Sequence, residues 1–272
     1  MSIISMQVGQ RTFNVDSNKG YDLSIPYRFK RESLTAFGFS PATLQTVENK
    51  YFVGDTRQNG SCNVEQYTLI PHCHGTHTEC VGHIVDEEIT IVDILKEVWI
   101  PALILTVKLE RGRVCSDRYV SGIADNDQII SKEQLSRCLD KFSDQNFLQA
   151  LIIRTLPNDT SKTTRHYSYA PYFSNEAMEI IANQPIQHLL VDIPSVDCMD
   201  DQGKLSNHRL FWGLKAGRHH LGQQIASSKT ITELIFVADD IKDGYYLLNL
   251  QISPFKADAA PSRPIVFPEL VL

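Results

Sequence analysis

The sequence lacks an excess of positive charge. Its 26 Lys and Arg are outnumbered by 32 Asp and Glu, which gives a formal net charge of −6 at pH 7. Nucleic acids and anionic membrane surfaces attract proteins through clustered basic residues, and no run of Lys or Arg stands out here. We therefore expect neither a nucleic-acid nor a membrane partner, and a small molecule is the expected substrate.

Long apolar runs are missing as well. No stretch of about 18 apolar residues is present, so the sequence predicts no membrane-spanning helix. Residues 1–10 lack the charged segment and sustained apolar stretch of a secretory signal, which makes the cytoplasm the expected location. In that compartment the 6 cysteines stay reduced, and their scattered spacing matches no disulfide framework.

Internal repeats, low-complexity tracts and linkers rich in Pro, Gly or Ser are also absent from the sequence. Such segments mark repeat arrays or domain boundaries, so their absence favours one domain over residues 1–272. With 42% hydrophobic residues, a chain of 272 residues buries a substantial core, and disorder is not expected.

Alternating apolar and polar residues indicate several strands. Residues 3–15 alternate around Gly9 as in a hairpin, and residues 62–70 predict a strand that leads directly into a group of histidines. Further segments with the composition of strands are 21–26, 102–108, 151–154, 189–193, 245–255 and 263–267.

Two predicted helices alternate with these strands. Ser131 and Gln134 form a capping box ahead of apolar residues at helical spacing, and Ser174 begins an N-capped helix over residues 174–182. Strands that alternate with helices favour an α/β fold with a mostly parallel sheet, to which the N-terminal hairpin adds antiparallel strands.

Four histidines within one segment of twelve residues are the strongest functional signal. They are His72, His74, His77 and His83. With 9 histidines in 272 residues, a random window of that length holds about 0.4, so chance is a poor explanation. Pro71 and Gly75 disfavour a continuous helix, so we expect an extended or looped segment in which His77 and Glu79 project from the same face. Two ligands at that spacing can meet one metal ion.

Imidazole and carboxylate donors without an obligatory thiolate suit Zn²⁺, Mn²⁺ or Fe²⁺. One alternative is a structural zinc site that uses Cys73 and Cys80, but their separation is wide for a zinc knuckle and no Cys-x-x-Cys pair is present. Another is a set of core histidines that only satisfy hydrogen bonds, but four imidazoles beside a carboxylate would repel one another once protonated. Metal-dependent catalysis is therefore the favoured interpretation.

The same segment resembles the cyclase family of metal-dependent hydrolases, which includes bacterial kynurenine formamidase and isatin hydrolase. The family signature is His-x-Gly-Thr-His-x-Asp-x-Pro-x-His, and residues 75–83 read Gly-Thr-His-Thr-Glu-Cys-Val-Gly-His in the same order. Segments 190–197, 207–211, 231–234 and 243–248 resemble later family motifs, and 258–263 resembles the closing Asp-x-x-Pro-x-Arg. The resemblance covers residues 21–266, and several matches in order are far more specific than one motif.

This resemblance implies a swivelling β/β/α three-layer domain, as in kynurenine formamidase, with one or two divalent metal ions. His77 and Glu79 match ligands of a first ion. Glu79 would bridge to a second ion held by His208 and Glu233. His83 matches the family's catalytic histidine, which would act as base and acid.

The first ligand departs from the family pattern, because Cys73 stands where the family has histidine. We predict that His72 takes this place through a one-residue bulge, since imidazole preserves the ligand type. A thiolate ligand from Cys73 is the alternative.

Two other departures concern the second ion. The family Asp is Glu79 here, and its extra methylene changes the ion spacing or leaves room for only one ion. The interval between His208 and Glu233 is longer than in the family and carries His219 and His220, which are alternatives to His208.

Together these residues predict hydrolysis of a C–N bond in an amide, arylformamide-like or cyclic, by a water that zinc or manganese activates. Ester or lactone hydrolysis, or a cyclisation, in the same fold is one alternative. A metal-free relative that binds a small ligand without catalysis is another. The resemblance also implies a homodimer or homotetramer.

Several other residues receive a weaker interpretation. Asp192, Ser195 and Asp197 are interpreted first as turn-stabilising and second as orienting metal ligands. Two aromatic groups are interpreted as core rather than substrate pocket. They are Tyr27, Phe29, Phe37 and Phe39, followed by Tyr167, Tyr169, Tyr172 and Phe173.

Overall fold

A mixed β-sheet forms the centre of the computed structural model, which describes residues 2–29 and 33–270. The strands, in chain order, are β1 (Ile3–Val8), β2 (Arg11–Asp16), β3 (Tyr21–Asp22), β4 (Thr35–Ala36), β5 (Thr43–Thr46), β6 (Glu48–Asn49), β7 (Phe52–Val53), β8 (Glu65–Thr68), β9 (His77–Glu79), β10 (Ile100–Lys108), β11 (Glu110–Arg111), β12 (Gln128–Ile130), β13 (Ala150–Leu156), β14 (His166–Tyr167), β15 (Tyr172–Phe173), β16 (His188–Val191), β17 (Thr230–Glu233), β18 (Gly244–Ile252) and β19 (Ala259–Pro268). The α-helices are α1 (Pro71–His74), α2 (Ile91–Ile94), α3 (Lys132–Leu139), α4 (Asn175–Ala182) and α5 (Ser206–Trp212). Within the described residues, none of these helices has the length and apolar character needed to cross a membrane.

The central sheet closes on itself. Its strand order is β18-β10-β13-β16-β17-β9-β19-β3, and β18 also pairs with β19. β10, β13, β16 and β17 run parallel to one another, whereas β18, β9 and β19 pair antiparallel with their neighbours. The predicted α/β architecture, with a parallel layer and added antiparallel strands, is confirmed.

Successive residues of the parallel strands pack into two separate cores. Leu103 and Leu105 of β10 belong to a cluster with Met178 of α4 and Phe211 of α5. Ile104, between them, belongs to a second cluster with residues of β16, β18 and β19. Because neighbouring side chains of a strand point to opposite faces, a continuously apolar strand buries both faces.

The predicted hairpin and both predicted helices are confirmed. β1 and β2 pair antiparallel around Gly9, which adopts φ +58°. Ser131 Oγ accepts a hydrogen bond from Gln134 N at the start of α3, and Ser174 Oγ accepts one from Ala177 N at the start of α4. These caps satisfy amides that a first helical turn leaves unpaired.

Several predicted strands end earlier than their sequence patterns, and the difference is largest at 62–70 and 21–26. Within 62–70 only Glu65–Thr68 is extended, and β8 pairs with β5 in a separate two-stranded sheet. Its side chains are mostly exposed, so no core packing extends it. Within 21–26 the strand is Tyr21–Asp22, because the Asp22 carboxylate accepts a hydrogen bond from Ser24 N at 2.9 Å and takes that amide out of a regular ladder.

The histidine segment is only partly extended. His77–Glu79 forms a strand as expected, but the prediction of an extended or looped chain with a bulge is wrong for Pro71–His74, which forms one helical turn. Proline fits the first position of a helix because its missing amide proton is not needed there. Gly75 ends the turn at a close approach, since a Cβ would lie 2.8 Å from the Tyr27 ring.

Candidate metal centre

Strand β9 lies in the middle of the site. It carries His77 and Glu79 on the same face, as the sequence predicts, and both side chains are buried. In the antiparallel pairing with β17, Glu233 lies opposite His77, and 3.5 Å separate His77 Nε2 from Glu233 Oε2. The register of two strands thus brings a distant carboxylate to the histidine motif.

The turns that flank β9 add two more histidines. His72 Nε2, on α1, lies 3.3 Å from Glu79 Oε2, and His83 Nε2, at the end of the 3₁₀ turn Val81–His83, lies 3.8 Å from the same oxygen. The two imidazole rings stack with centroids 4.4 Å apart. Asp258 Oδ2, just before β19, lies 3.2 Å from His72 Nε2 and 3.0 Å from His83 Nδ1.

Helix α5 supplies the last histidine. His208 Nε2 lies 2.9 Å from Glu79 Oε1 and 3.7 Å from Glu233 Oε1. On the other side of the ring, His208 Nδ1 donates to Asp197 Oδ2 at 2.6 Å, and Tyr119 OH donates to Asp197 Oδ1 at 2.6 Å. Asp197 therefore holds the imidazole so that Nε2 faces Glu79, which favours the orienting role over a purely turn-stabilising one.

At the metal centre, neighbouring opposite charges shift the pKa values more than burial does. Burial opposes ionisation of Glu79, but the adjacent His83 and His208 hold its pKa well below the ordinary value. Burial opposes protonation of His208, yet the Glu79 carboxylate keeps its pKa well above the usual one. His72 is also buried, and the carboxylates of Asp258 and Glu79 still raise its pKa to about 10. The surroundings of Glu79 thus favour positive charge, which protons or a cation can supply.

Three buried ligand atoms have no hydrogen-bond partner among the described residues. They are His72 Nε2, His77 Nε2 and Glu79 Oε2. One ligand atom from each of these residues lies within 4.8 Å of the others. Unpaired buried polar atoms are costly, and two imidazole nitrogens with a carboxylate oxygen are donors that divalent ions bind. The residues present therefore fit a divalent metal ion.

Two further compact sets of ligand atoms share residues with this one. They are Glu79 with His83 and His208, and His72 with His83 and Asp258. Glu233 belongs to none of the compact sets found within residues 2–29 and 33–270, and its Oε1 accepts a hydrogen bond from Val196 N at 2.9 Å. The fold thus brings all the predicted site residues into one cluster, with Glu233 at its edge: His72, His77, Glu79, His83, His208 and Glu233.

Comparison with known proteins identifies the family of the chain. The model of the Cyclase family matches residues 21–198. The chain belongs to the Cyclase family. A curated member of similar sequence is a kynurenine formamidase from Bacillus thuringiensis (strain Al Hakam), which is 26% identical over 213 residues. That alignment covers 78% of this chain and 83% of the relative.

Solved structures share the Cyclase-family fold. A predicted metal-dependent hydrolase from Bacillus stearothermophilus superposes with a TM-score of 0.58 at 16% identity, over 92% of this chain and 98% of the other. Isatin hydrolase A from Ralstonia solanacearum superposes with a TM-score of 0.56 at 11% identity, over 92% of each chain. At such identities the likeness shows the fold. The predicted fold and the prediction of a cyclase-family enzyme are confirmed.

The two cysteines of the histidine segment lie outside the compact ligand sets of this Cyclase-family chain, within the part that the structure describes. Cys73 is buried beside His72, and burial raises the pKa of its thiol to about 11. Burial likewise raises the pKa of Cys80 to about 12, and its Sγ contacts the carbonyl of Ile89. Metals bind the thiolate, so these environments favour His72 as the ligand.

The alternatives to His208 also face elsewhere. His219 Nδ1 lies 3.1 Å from the carbonyl oxygen of Ile84. His220 is exposed, and its Nε2 lies 3.1 Å from Asp86 Oδ2. The spacing from Asp197 favoured His208 in the sequence, and His208 is the histidine that the fold brings to Glu79.

Asp258 is a site residue that sequence reasoning did not assign. Its carboxylate accepts a hydrogen bond from His83 Nδ1 at 3.0 Å, and both histidines that it contacts hold its pKa below the ordinary range. The available signal was its position at the head of segment 258–263, which resembles the family's closing motif. The residue type alone gave no role, because an Asp before a strand is most often a local turn residue.

An aromatic pocket of about 790 Å³ opens beside His72 and Asp258. Phe29 and Tyr67, with ring centroids 4.6 Å apart, line it together with Phe255. Phe29 was expected in the core, but it is half-buried and lines this pocket. Of the other aromatic residues, Tyr167, Tyr172 and Phe173 are buried as expected, whereas Phe37, Phe39 and Tyr169 are exposed.

Proposed function

We propose that this chain is a metal-dependent amide hydrolase that cleaves a C–N bond with water. The observation that carries the proposal is the convergence of His72, His77 and Glu79, whose buried ligand atoms lack partners in the described residues. Amide chemistry is supported by the name of the Bacillus thuringiensis relative, kynurenine formamidase.

His72, His77 and Glu79 would hold a first ion, and Glu79 with His208 and Glu233 would hold a second where two are bound. Imidazole nitrogen and carboxylate oxygen suit Zn²⁺ and Mn²⁺. When bound, such an ion lowers the pKa of its water towards about 7 and polarises the substrate carbonyl.

His83 would move the proton. Its side chain is 27% exposed, its Nε2 faces Glu79, and its Nδ1 is held by Asp258. Because the Asp258 carboxylate accepts the Nδ1 proton, the neutral ring presents Nε2 as the base. His83 Nε2 can therefore take a proton from the attacking water and give it to the leaving nitrogen.

The aromatic pocket supports a substrate with a flat apolar group. Phe29, Tyr67 and Phe255 would pack against that group, which would place its amide beside His72 and Asp258. An arylformamide or a cyclic arylamide has this shape.

Replacing His77 with Ala tests the assignment. His77→Ala should abolish stoichiometric metal, measured by elemental analysis of protein purified without a histidine tag, and with it the hydrolysis of an arylformamide. His220→Ala is the matched control, because His220 is exposed and outside the cluster, and it should keep its metal. An unchanged metal load in His77→Ala would refute the proposal.

Two other functions lead to different results in the same assays. Matched amide and ester substrates separate an amidase from an ester or lactone hydrolase. A metal-free ligand-binding protein is suggested by Cys73, which replaces the first histidine of the family motif. Protein that contains no stoichiometric metal, and takes up neither Zn²⁺ nor Mn²⁺, would establish that function instead.

A further inference from the structure

A second cavity, of about 730 Å³, is lined by residues of α4, α5 and the turns around them. Its lining contains none of the candidate metal ligands and no residue of the aromatic pocket, although Tyr119, which lines it, donates a hydrogen bond to Asp197. Its volume lies within the range of about 300–1,000 Å³ that small-molecule sites occupy.

Arg209 of α5 lines this cavity and is only 4% exposed. Its Nε donates to Lys204 O at 3.0 Å, and its Nη1 donates to the carbonyl oxygens of Lys215 and Arg218. These backbone acceptors fix the guanidinium group in one orientation, and a donor held in place loses little entropy when it binds a ligand.

The remaining nitrogen of Arg209 has no acceptor. Within the described residues no hydrogen bond from Nη2 is formed, and no carboxylate lies within 4.0 Å of the guanidinium group. Nη2 is open to the cavity rather than fully enclosed. A guanidinium nitrogen that meets an anion forms a strong charge-assisted hydrogen bond, so Arg209 can bind an anion that enters the cavity.

The charges at the rim of the cavity also favour an anion. Lys204 and Arg118 are exposed there, and the only carboxylate among the lining residues is the exposed Glu179. Arg118 is partly neutralised by Glu176, at 2.7 Å. Even so, the lining carries net positive charge on a chain whose net charge is −6, which favours anionic ligands at this place.

The rest of the lining is apolar. Leu210 and Leu214 are half-buried in the wall, and Val120 is 46% exposed at the rim. We propose that this cavity is a second ligand site, which binds a small carboxylate with an apolar body, the carboxylate on Arg209 and the body against these side chains. The site is separate from the proposed hydrolytic centre, and its existence does not depend on the reaction catalysed there.

Benzoate is the probe, because it combines a carboxylate with a flat apolar body. Calorimetric titration of the full-length protein should give saturable binding of benzoate. Val120→Trp fills the rim with a large ring and should weaken this binding at least tenfold. Val120 is at the surface, so this variant should keep the melting temperature of the parent protein, whereas replacing Arg209 would also remove its bonds to three carbonyl groups.

Two exposed residues of the rim provide a charge-matched pair. Lys204→Gln should weaken benzoate binding by about threefold, and Glu179→Gln should strengthen it by a similar factor, because single exposed charges contribute little. His77→Ala, which alters only the metal centre, should leave benzoate affinity unchanged and so excludes binding at the metal.

Three results would overturn the proposal. The first is the absence of saturable benzoate binding. This includes the case in which a second copy of the chain fills the cavity, which a change in the mass of Val120→Trp measured by light scattering would reveal. The second is benzoate binding that Val120→Trp leaves intact. The third is tighter binding of inorganic phosphate than of benzoate, which would assign the site to simple anions.

Discussion

Two buried groups of charged residues in this protein differ in how completely they are paired. The Asp192 carboxylate accepts hydrogen bonds from Thr155 N at 2.8 Å, Thr155 Oγ1 at 2.9 Å and Lys162 Nζ at 2.7 Å. Around Glu79, by contrast, one carboxylate oxygen and two imidazole nitrogens stay without partners in the described chain. Both groups are buried and charged, so neither burial nor charge tells them apart. The completed group satisfies its own charges, and the incomplete one is suited to a ligand.

Removing the carboxylate from the completed group around Asp192 should have the largest effect on stability. Asp192→Ala leaves the buried ammonium of Lys162 without its carboxylate, and we expect the free energy of unfolding to fall by about 3–5 kcal/mol. Urea denaturation measures this loss. The double variant Asp192→Leu/Lys162→Met removes both charges and should recover most of it. A loss below about 1 kcal/mol in Asp192→Ala would mean that the pair does not stabilise the fold.

Changing the incomplete group should affect metal rather than folding. Glu79→Gln keeps the shape of the side chain but removes its negative charge, so metal affinity should fall at least about 100-fold, as followed by competition with a chelator. Glu87→Gln is the matched control, because Glu87 Oε2 is also buried and unpartnered in the described part of the chain but lies outside the ligand sets. Equal affinities in both variants would remove Glu79 from the site.

The residue that orients a ligand should matter less than the ligand itself. Asp197→Asn weakens the hydrogen bond that holds His208 Nδ1, and loss of such a partner typically costs about 10–100-fold in metal affinity. The same chelator competition measures it. An affinity within about twofold of the parent protein would show that α5 alone positions the imidazole.

The unpartnered nitrogen of His188 lies outside the carboxylate cluster, so replacing this residue should affect only the stability of the fold. His188 Nε2 is buried and unpartnered in the described residues, and burial lowers the pKa of His188 to about 4. The unfolded chain takes up this proton near pH 6.5, above the folded value, so stability is present above pH 6.5 and is lost as the pH falls from 6.5 towards 4. We expect about 1–2 kcal/mol to be lost between pH 7 and pH 5. His188→Gln should remove this part of the acid sensitivity in denaturation measured across the same range, and identical profiles would contradict the prediction.

The composition of the site could be predicted because each ligand lies in a short motif. The segments that carry His77, His83 and Glu233 resemble family motifs in order, and the fold brings them together. The helical turn that presents His72 was not predicted. Pro71 and Gly75 exclude a long helix, but they are compatible both with an extended chain between them and with a single helical turn.

Contacts between distant segments could not be predicted from the sequence. Asp258 meets His83 only because β19 pairs with β9, and nothing local to either residue specifies that pairing. The cavity at Arg209 was equally hidden, since an arginine in an amphipathic helix is normally solvated, and its burial arises from the backbone of the following turns.

The spread of the metal centre along the chain has a consequence for biosynthesis. His72 lies in the first third of the chain, whereas Asp258, whose carboxylate lies 3.2 Å from it, comes between the last two strands. A ribosome therefore releases the early histidines long before the final carboxylate and the closing strand β19 exist. During translation the early histidines lack the rest of the ligand set. Stable metal binding should therefore occur after synthesis is complete and not during the first folding events.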